Sequence, residues 1–285
     1  MSNKIALFTT INKNYVKNAI RCFQIFKENN NGIFNCYIVT SDNVESYQKE
    51  LDKNNIGVIN IDLSDVFKID QRFEGYPTEM YWYHWVPLEL NRRGYKFSMY
   101  VDADTVNMKP LDFSWLNTDD FVLAGAPRMR DDLSEKISAW FYVQAFSSHE
   151  KRIFLHREFE LINKEDIIDI HSGILIFNNS KWVLEKMYEK SLEVFNGTKY
   201  GGHPMVDDDS LLALLLIVTP NRFYKHLSPS WNWYYEDFRK ESNGGKDVDI
   251  LHMVSLKPWS THVNKNHLLE KGRKIWSRSS IDSAK

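Results

Sequence analysis

Two carboxylates, Asp102 and Asp104, close the run Phe97-Ser98-Met99-Tyr100-Val101-Asp102-Ala103-Asp104. The run reads as a buried apolar strand, and residues two apart on a strand share a face. Both acids can therefore aim at one divalent cation where the strand leaves its sheet. Hard cations such as Mg²⁺ or Mn²⁺ take oxygen ligands of this kind, usually one or two carboxylates together with substrate phosphates. The stretch is a candidate metal–pyrophosphate site, with a solvated Asp-x-Asp turn as the plain alternative. A second signal lies in Ile250-Leu251-His252-Met253-Val254-Ser255-Leu256-Lys257-Pro258-Trp259. There a short strand delivers His252, and Lys257 follows five residues later. An imidazole beside two carboxylates favours Mn²⁺ somewhat over Mg²⁺, and the Lys257 ammonium could neutralise a departing diphosphate as a point charge. A lone His is more often structural, so it is the combination that carries weight.

These residues need a scaffold, and the first half of the chain supplies an alternation of strands and helices. Lys4–Thr9, Cys36–Thr40, Gly57–Ile61 and the strand ending at Asp102 read as buried strands, followed by one over Asp120–Ala124. Between them, Tyr15–Phe26 has helical spacing at Val16, Ile20, Phe23 and Phe26, with Asn12 or Asn14 as cap. Ser41–Asn54 is a polar helical stretch, and Thr78–Asn91 a helix that Pro87 would kink. Such alternation predicts an α/β fold with a mostly parallel, Rossmann-like central sheet flanked by helices. Ligands in such sheets bind at the strands' C-terminal ends, where Thr9, Asp102 and Asp104 sit. Further on, a charged and aromatic region over 128–170 reads as helical inserts. Gly173–Asn178 is another buried strand, Ser180–Phe195 a helix capped by Ser180, and Asp207-Asp208-Asp209 opens the helix Ser210–Val218 that Pro220 ends.

At 285 residues, with 43% hydrophobic and 26% charged residues, the composition is ordinary for a globular protein. A single domain over 1–260 is expected, followed by a basic tail over 261–285. A formal net charge of −2 gives no field that would argue for nucleic acid. Cys22 and Cys36 form no metal or redox spacing, which points to a reduced, cytoplasmic protein. The longest apolar run, Leu211–Val218, is far short of the roughly 20 residues that cross a bilayer. No G-x-G-x-x-G follows the first strand and no P-loop pattern occurs, so a phosphate would have to be held by metal and basic side chains instead. The tail holds Lys265, Lys271, Arg273, Lys274 and Arg278 with Leu268, Leu269 and Trp276. It reads as a solvated terminal helix that could also touch an anionic membrane. Trp231-Asn232-Trp233-Tyr234-Tyr235 reads as a loop anchored by buried rings, or as aromatic platforms for a sugar.

Val101-Asp102-Ala103-Asp104, with Lys109-Pro110-Leu111 after it, resembles the DXD segment of family 8 glycosyltransferases, the glycogenin-like and lipopolysaccharide galactosyl- or glucosyltransferase-like enzymes of GT-A fold. Four other segments agree in order. Thr9-Thr10-Ile11-Asn12-Lys13-Asn14-Tyr15 resembles the nucleotide-binding first loop, and Ser172–Asn178 the strand after the insertion. Asp207-Asp208-Asp209 sits where the family has Asp-Gln-Asp before a helix, and His252–Trp259 resembles the closing H-x₅-K-P-W segment. The resemblance spans about residues 4–260. It implies a retaining hexosyltransferase that moves a sugar from a UDP-sugar donor to a glycan, lipid-linked or protein acceptor. Asp102, Asp104 and His252 would hold Mn²⁺, with Mg²⁺ as substitute. Thr9, Ile11, Asn12, Tyr15, Ala103 and Lys257 would contact the donor, Tyr15 stacking on uracil or else being a plain exposed helix turn. Asp207 and Asp209 would meet the sugars and Asp208 the anomeric centre, although acids at a helix start are also favourable as simple caps.

The chain departs from the family's pattern at several points. Asp208 stands for the usual Gln, His171 for an Asn, and the His-to-Lys spacing is one residue shorter. The Arg usually found before the DXD segment is replaced within Tyr81-Trp82-Tyr83-His84, and the 128–170 insertion is longer. These features describe a divergent member. A non-catalytic nucleotide-sugar or carbohydrate-binding protein of the same fold, and a metal-dependent sugar nucleotidyltransferase, are the competing readings. The latter would be expected to carry a Gly-rich basic first loop, which Thr9–Tyr15 is not.

Overall fold

The computed structural model describes residues 4–62, 78–118, 120–127, 170–197, 211–212, 214–215, 219, 224–234, 247–253, 257–260 and 267–278. In chain order the elements are β1 (Ile5–Thr10), α1 (Val16–Asn29), β2 (Phe34–Thr40), α2 (Gln48–Lys53), β3 (Ile56–Asn60), α3 (Val86–Arg92), β4 (Phe97–Val101) and β5 (Thr105–Asn107). They continue with β6 (Leu123–Pro127), β7 (Ile170–Asn178), α4 (Asn179–Leu184), α5 (Met187–Gly197), β8 (Tyr224–His226), β9 (Trp233–Tyr234), β10 (Ile250–His252) and α6 (His267–Arg278).

Seven strands form the central sheet in the order β3-β2-β1-β4-β7-β6-β8. β3, β2, β1 and β4 run parallel; β7 is antiparallel to both β4 and β6, and β8 is again parallel to β6. The strands are apolar on successive residues because both faces are covered. Along β1, Ile5 and Leu7 enter one core while Ala6 and Phe8 enter the other. The same alternation sends Met99 and Val101 to the first core and Tyr100 to the second. A three-stranded sheet, β5-β10-β9, stands beside the main one. Its register pairs His252 with Thr105 on one side and with Tyr234 on the other. That pairing carries the distant His252 to the end of β4.

Several expected elements differ in detail. Thr78–His84 winds as a 3₁₀ stretch before α3. Pro87 lies in the first turn of α3, where its missing N–H costs nothing, so it starts the helix rather than kinking it. The helix expected over Ser180–Phe195 is two helices, broken where Lys186 takes φ 52°, and Asn178 caps the first by accepting from Lys181 N at 3.3 Å. The polar stretch Ser41–Asn54 is helical only from Glu45, as a 3₁₀ turn and then α2. The strand expected over Asp120–Ala124 is β6, shifted a few residues later. The insertion at 128–170, apart from Ile170 in β7, and the triplet Asp207-Asp208-Asp209 lie outside the described residues.

α6 is amphipathic, and its apolar side faces inward. Leu268, Leu269 and Trp276 join the first core. A Cβ on Gly272 would lie 2.7 Å from Leu251 Cδ2, so the glycine lets the helix press against β10. Buried Arg21 of α1 donates through Nε to Trp276 O, and through a second guanidinium nitrogen to Ile275 O at 2.6 Å, satisfying carbonyls in the last turn of α6. The expected membrane contact of this tail therefore lacks its apolar face, leaving Lys271, Lys274 and Arg278 exposed. Among the described residues no helix is long and apolar enough to cross a membrane.

Candidate metal centre

The chain turns sharply after β4. Asp102 N donates to Gly173 O at 3.0 Å, and Asp102 O accepts from Thr105 N at 3.1 Å and Thr105 Oγ1 at 2.8 Å. This turn presents both carboxylates to β10. His252 Nε2 lies 3.2 Å from Asp102 Oδ2 and 3.3 Å from Asp104 Oδ1. Among the described residues this is the one cluster of His, Cys, Asp and Glu side chains whose ligand atoms converge, all within 4.8 Å of one another. Lys257 Nζ forms an ion pair with the other Asp104 oxygen, Oδ2.

The residues around the cluster hold it in shape. Tyr100, in β4 two residues before Asp102, donates its hydroxyl to Asp102 Oδ1 at 2.5 Å, leaving Oδ2 for His252. Gly173 lies against the imidazole: a Cβ there would come 2.1 Å from His252 Cε1 and 2.3 Å from Nδ1. Asn232 Oδ1 is 3.1 Å from His252 Nδ1, and the His171 ring packs edge-on against His252 at 4.8 Å between centroids. Charge sets the protonation. Burial favours the neutral imidazole, yet the Asp104 charge and the contacts to both carboxylates overrule it and push His252 up to about 9. Burial likewise opposes ionising Asp104, but His252 and Lys257 hold its carboxyl well below the usual carboxylate range. Two hard oxygens and one imidazole nitrogen that converge in this way fit a divalent cation such as Mn²⁺ or Mg²⁺.

The first loop meets this centre through the segment that carries Lys257. Two residues after Lys257, Trp259 packs edge-on to Tyr15, with ring centroids 6.2 Å apart, and its other neighbour is Trp276 of α6 at 5.6 Å. Tyr15 itself is 41% exposed, so its ring is open to a ligand. Asn12 accepts from Asn14 N at 3.1 Å and shapes the turn ahead of α1. Ile11 N is bonded to Val39 O at 3.0 Å, so that amide is already used. The hydroxyls of Thr9 and Thr10 are buried without a partner among the described residues, polar groups that a ligand at the end of β1 could satisfy.

The structure thus brings Asp102, Asp104, His252 and Lys257 into direct contact and links them through Trp259 to Tyr15. Three supports escaped sequence reasoning. Tyr100 had a signal, because it lies two residues before Asp102 in the same run. Gly173 was visible only as part of the Ser172–Asn178 segment and Asn232 only as part of the aromatic loop, since their contacts arise from β7 and from the turn before β9 meeting His252. Trp231 and Trp233 are both 8% exposed, so they anchor that turn rather than offer sugar platforms.

No family model matches the sequence, and no curated protein matches it. Solved structures do resemble the fold, several glycosyltransferases among them. The bifunctional glycosyltransferase WbbM in its apo form superposes with TM-score 0.66 at 15% identity over 97% of this chain, which spans 50% of that one. The galactosyltransferase LgtC, solved with donor and acceptor sugar analogues, gives TM-score 0.60 at 12% identity, covering 96% of both chains. GlyE from Streptococcus pneumoniae gives 0.60 at 15% identity over 96% of this chain and 60% of that one. The fold is the GT-A glycosyltransferase fold.

Proposed function

We propose that this chain is a retaining glycosyltransferase of family 8 type that moves a hexose from a UDP-sugar to a hydroxyl of a glycan, lipid-linked or protein acceptor. One observation carries the reading. Asp102, Asp104, His252 and Lys257 converge at the C-terminal edge of a sheet whose fold is shared with glycosyltransferases. Bound there, Mn²⁺ would act as a Lewis acid that neutralises charge on the donor diphosphate. Asp102, Asp104 and His252 would hold it, and Lys257 would add a positive charge for the departing UDP. The exposed face of Tyr15 takes the uracil ring, beside the Thr9, Ile11 and Asn12 backbone and next to Ala103. Asp207, Asp208 and Asp209 are assigned to the sugars, with Asp208 nearest the anomeric carbon.

The test is release of UDP from a panel of UDP-sugars, with Mn²⁺ or with EDTA. Metal-dependent turnover of at least one donor, lost in Asp102→Ala and Asp104→Ala, is expected. Binding of UDP-sugars with no turnover for any donor or acceptor would instead leave a non-catalytic binding protein.

A further inference from the structure

His252 has two ring nitrogens, and only one of them can serve a cation lying between Asp102 and Asp104. Nε2 faces both carboxylates at 3.2 and 3.3 Å. Nδ1 faces Asn232 Oδ1 at 3.1 Å. Asn232 is 5% exposed, and its orientation is set from behind, because its Nδ2 donates to His171 O at 3.2 Å. A carbonyl only accepts, so the amide nitrogen must face His171, and Oδ1 is left to face His252. An amide oxygen also only accepts. Nδ1 must then carry hydrogen, and Nε2 is the nitrogen whose lone pair is available once its own proton leaves.

We propose that Asn232 is a positioning residue that fixes the imidazole tautomer and plane of His252 so that Nε2 serves as the metal ligand. The orientation passes from backbone to amide to imidazole. β7 supplies both ends of the support, since its His171 carbonyl fixes the amide while its Gly173 leaves room for the ring. His171 closes the arrangement: its own Nδ1 accepts from Gly173 N at 3.2 Å, and its ring edge packs on His252. Ligating histidines commonly donate their second N–H in this way, and loss of such a partner typically weakens metal binding by about 10–100-fold.

The inference rests on the metal reading of the site and not on sugar transfer, so the test uses Mn²⁺ alone with the full chain and no nucleotide. Mn²⁺ affinity is compared by calorimetry in the wild type, Asn232→Leu and Asn232→Asp, with thermal melts to verify folding. Asn232→Leu is expected to bind Mn²⁺ about 10–100-fold more weakly. Asn232→Asp keeps an acceptor for Nδ1 while losing the donor to His171, and is expected to bind at least as tightly as wild type. NMR of the metal-free protein should show a slowly exchanging Nδ1 proton on His252 in wild type and Asn232→Asp, lost in Asn232→Leu. Equal weakening in both variants would make Asn232 only a brace for the His171 carbonyl and overturn the inference. So would unchanged affinity in Asn232→Leu. Wild-type protein that binds no Mn²⁺ would overturn it together with the metal site, while donor turnover judges sugar transfer separately.

Discussion

Gly173 and His252 are so close that any side chain at 173 would occupy the space of the imidazole: a Cβ there would fall 2.1 Å from His252 Cε1. Both neighbours are braced, Gly173 within β7 and His252 within β10, so the ring must move. Gly173→Ala is expected to weaken Mn²⁺ binding at least about tenfold and to cost about 1–3 kcal/mol of stability through overpacking. Calorimetry and urea denaturation measure the two effects. Unchanged metal affinity would show that His252 is not a ligand.

Lys257 shares Asp104 with His252 and so competes for the carboxylate that a cation would use. Its side chain is 39% exposed, which keeps the pairing modest. Lys257→Ala is expected to have effects of opposite sign. Mn²⁺ alone should bind up to about fivefold more tightly, the equivalent of about 1 kcal/mol, while UDP in the presence of Mn²⁺ should bind more weakly. Titrations with metal alone and with metal plus UDP separate the two.

His84 is wholly buried, bonded at Nδ1 to Ser191 Oγ at 3.1 Å and stacked on Tyr83. Burial disfavours its charged form and pulls it down to about 3. The unfolded chain therefore binds a proton that the folded chain refuses between pH 6.5 and about 3. Stability from this residue is complete above pH 6.5 and falls as the solution is acidified, by about 1.4 kcal/mol per pH unit. Imidazole resonances of His84 should not titrate between pH 8 and 4, and a midpoint near 6 would contradict this account.

Arg21 is 8% exposed and donates to two carbonyls in the last turn of α6. Arg21→Met keeps much of the stem but leaves both carbonyls without this donor. A loss of about 2–4 kcal/mol is expected, since hydrogen bonds to charged groups each contribute about 1.5–3 kcal/mol. Denaturation curves give the value. Because α6 supports Trp259 through Trp276, Tyr15-side ligand binding should weaken as well.

The sheet was legible because strands covered on both faces are apolar on successive residues, as in Ile5–Phe8 and Met99–Val101. The acid pair was legible as two carboxylates closing an apolar run, but period two on a strand is not what aligns them. β4 ends at Val101, and Asp102 and Asp104 lie in the turn before β5, which aims both at His252. What stayed hidden depends on pairing between remote segments. Nothing local in Pro229–Asn232 announces that Asn232 will meet an imidazole twenty residues on, because that contact exists only through the parallel pairing of β9 with β10. Pro87 was misjudged for a different reason. A proline signals either a kink or a first turn, and here the 3₁₀ winding of Thr78–His84 before it settled which.

Asp104 and Lys257 touch across 153 residues of chain. On the ribosome, at about 5–20 residues per second, the acidic half of the centre would emerge roughly 8–30 s before the basic half. In that interval the turn after β4 holds two carboxylates without their counter-charges, and α6, which packs against β10, has not yet been made. The centre thus waits for a segment made long after its acids, and nascent chains halted before Ile250 should carry the sheet but bind no Mn²⁺.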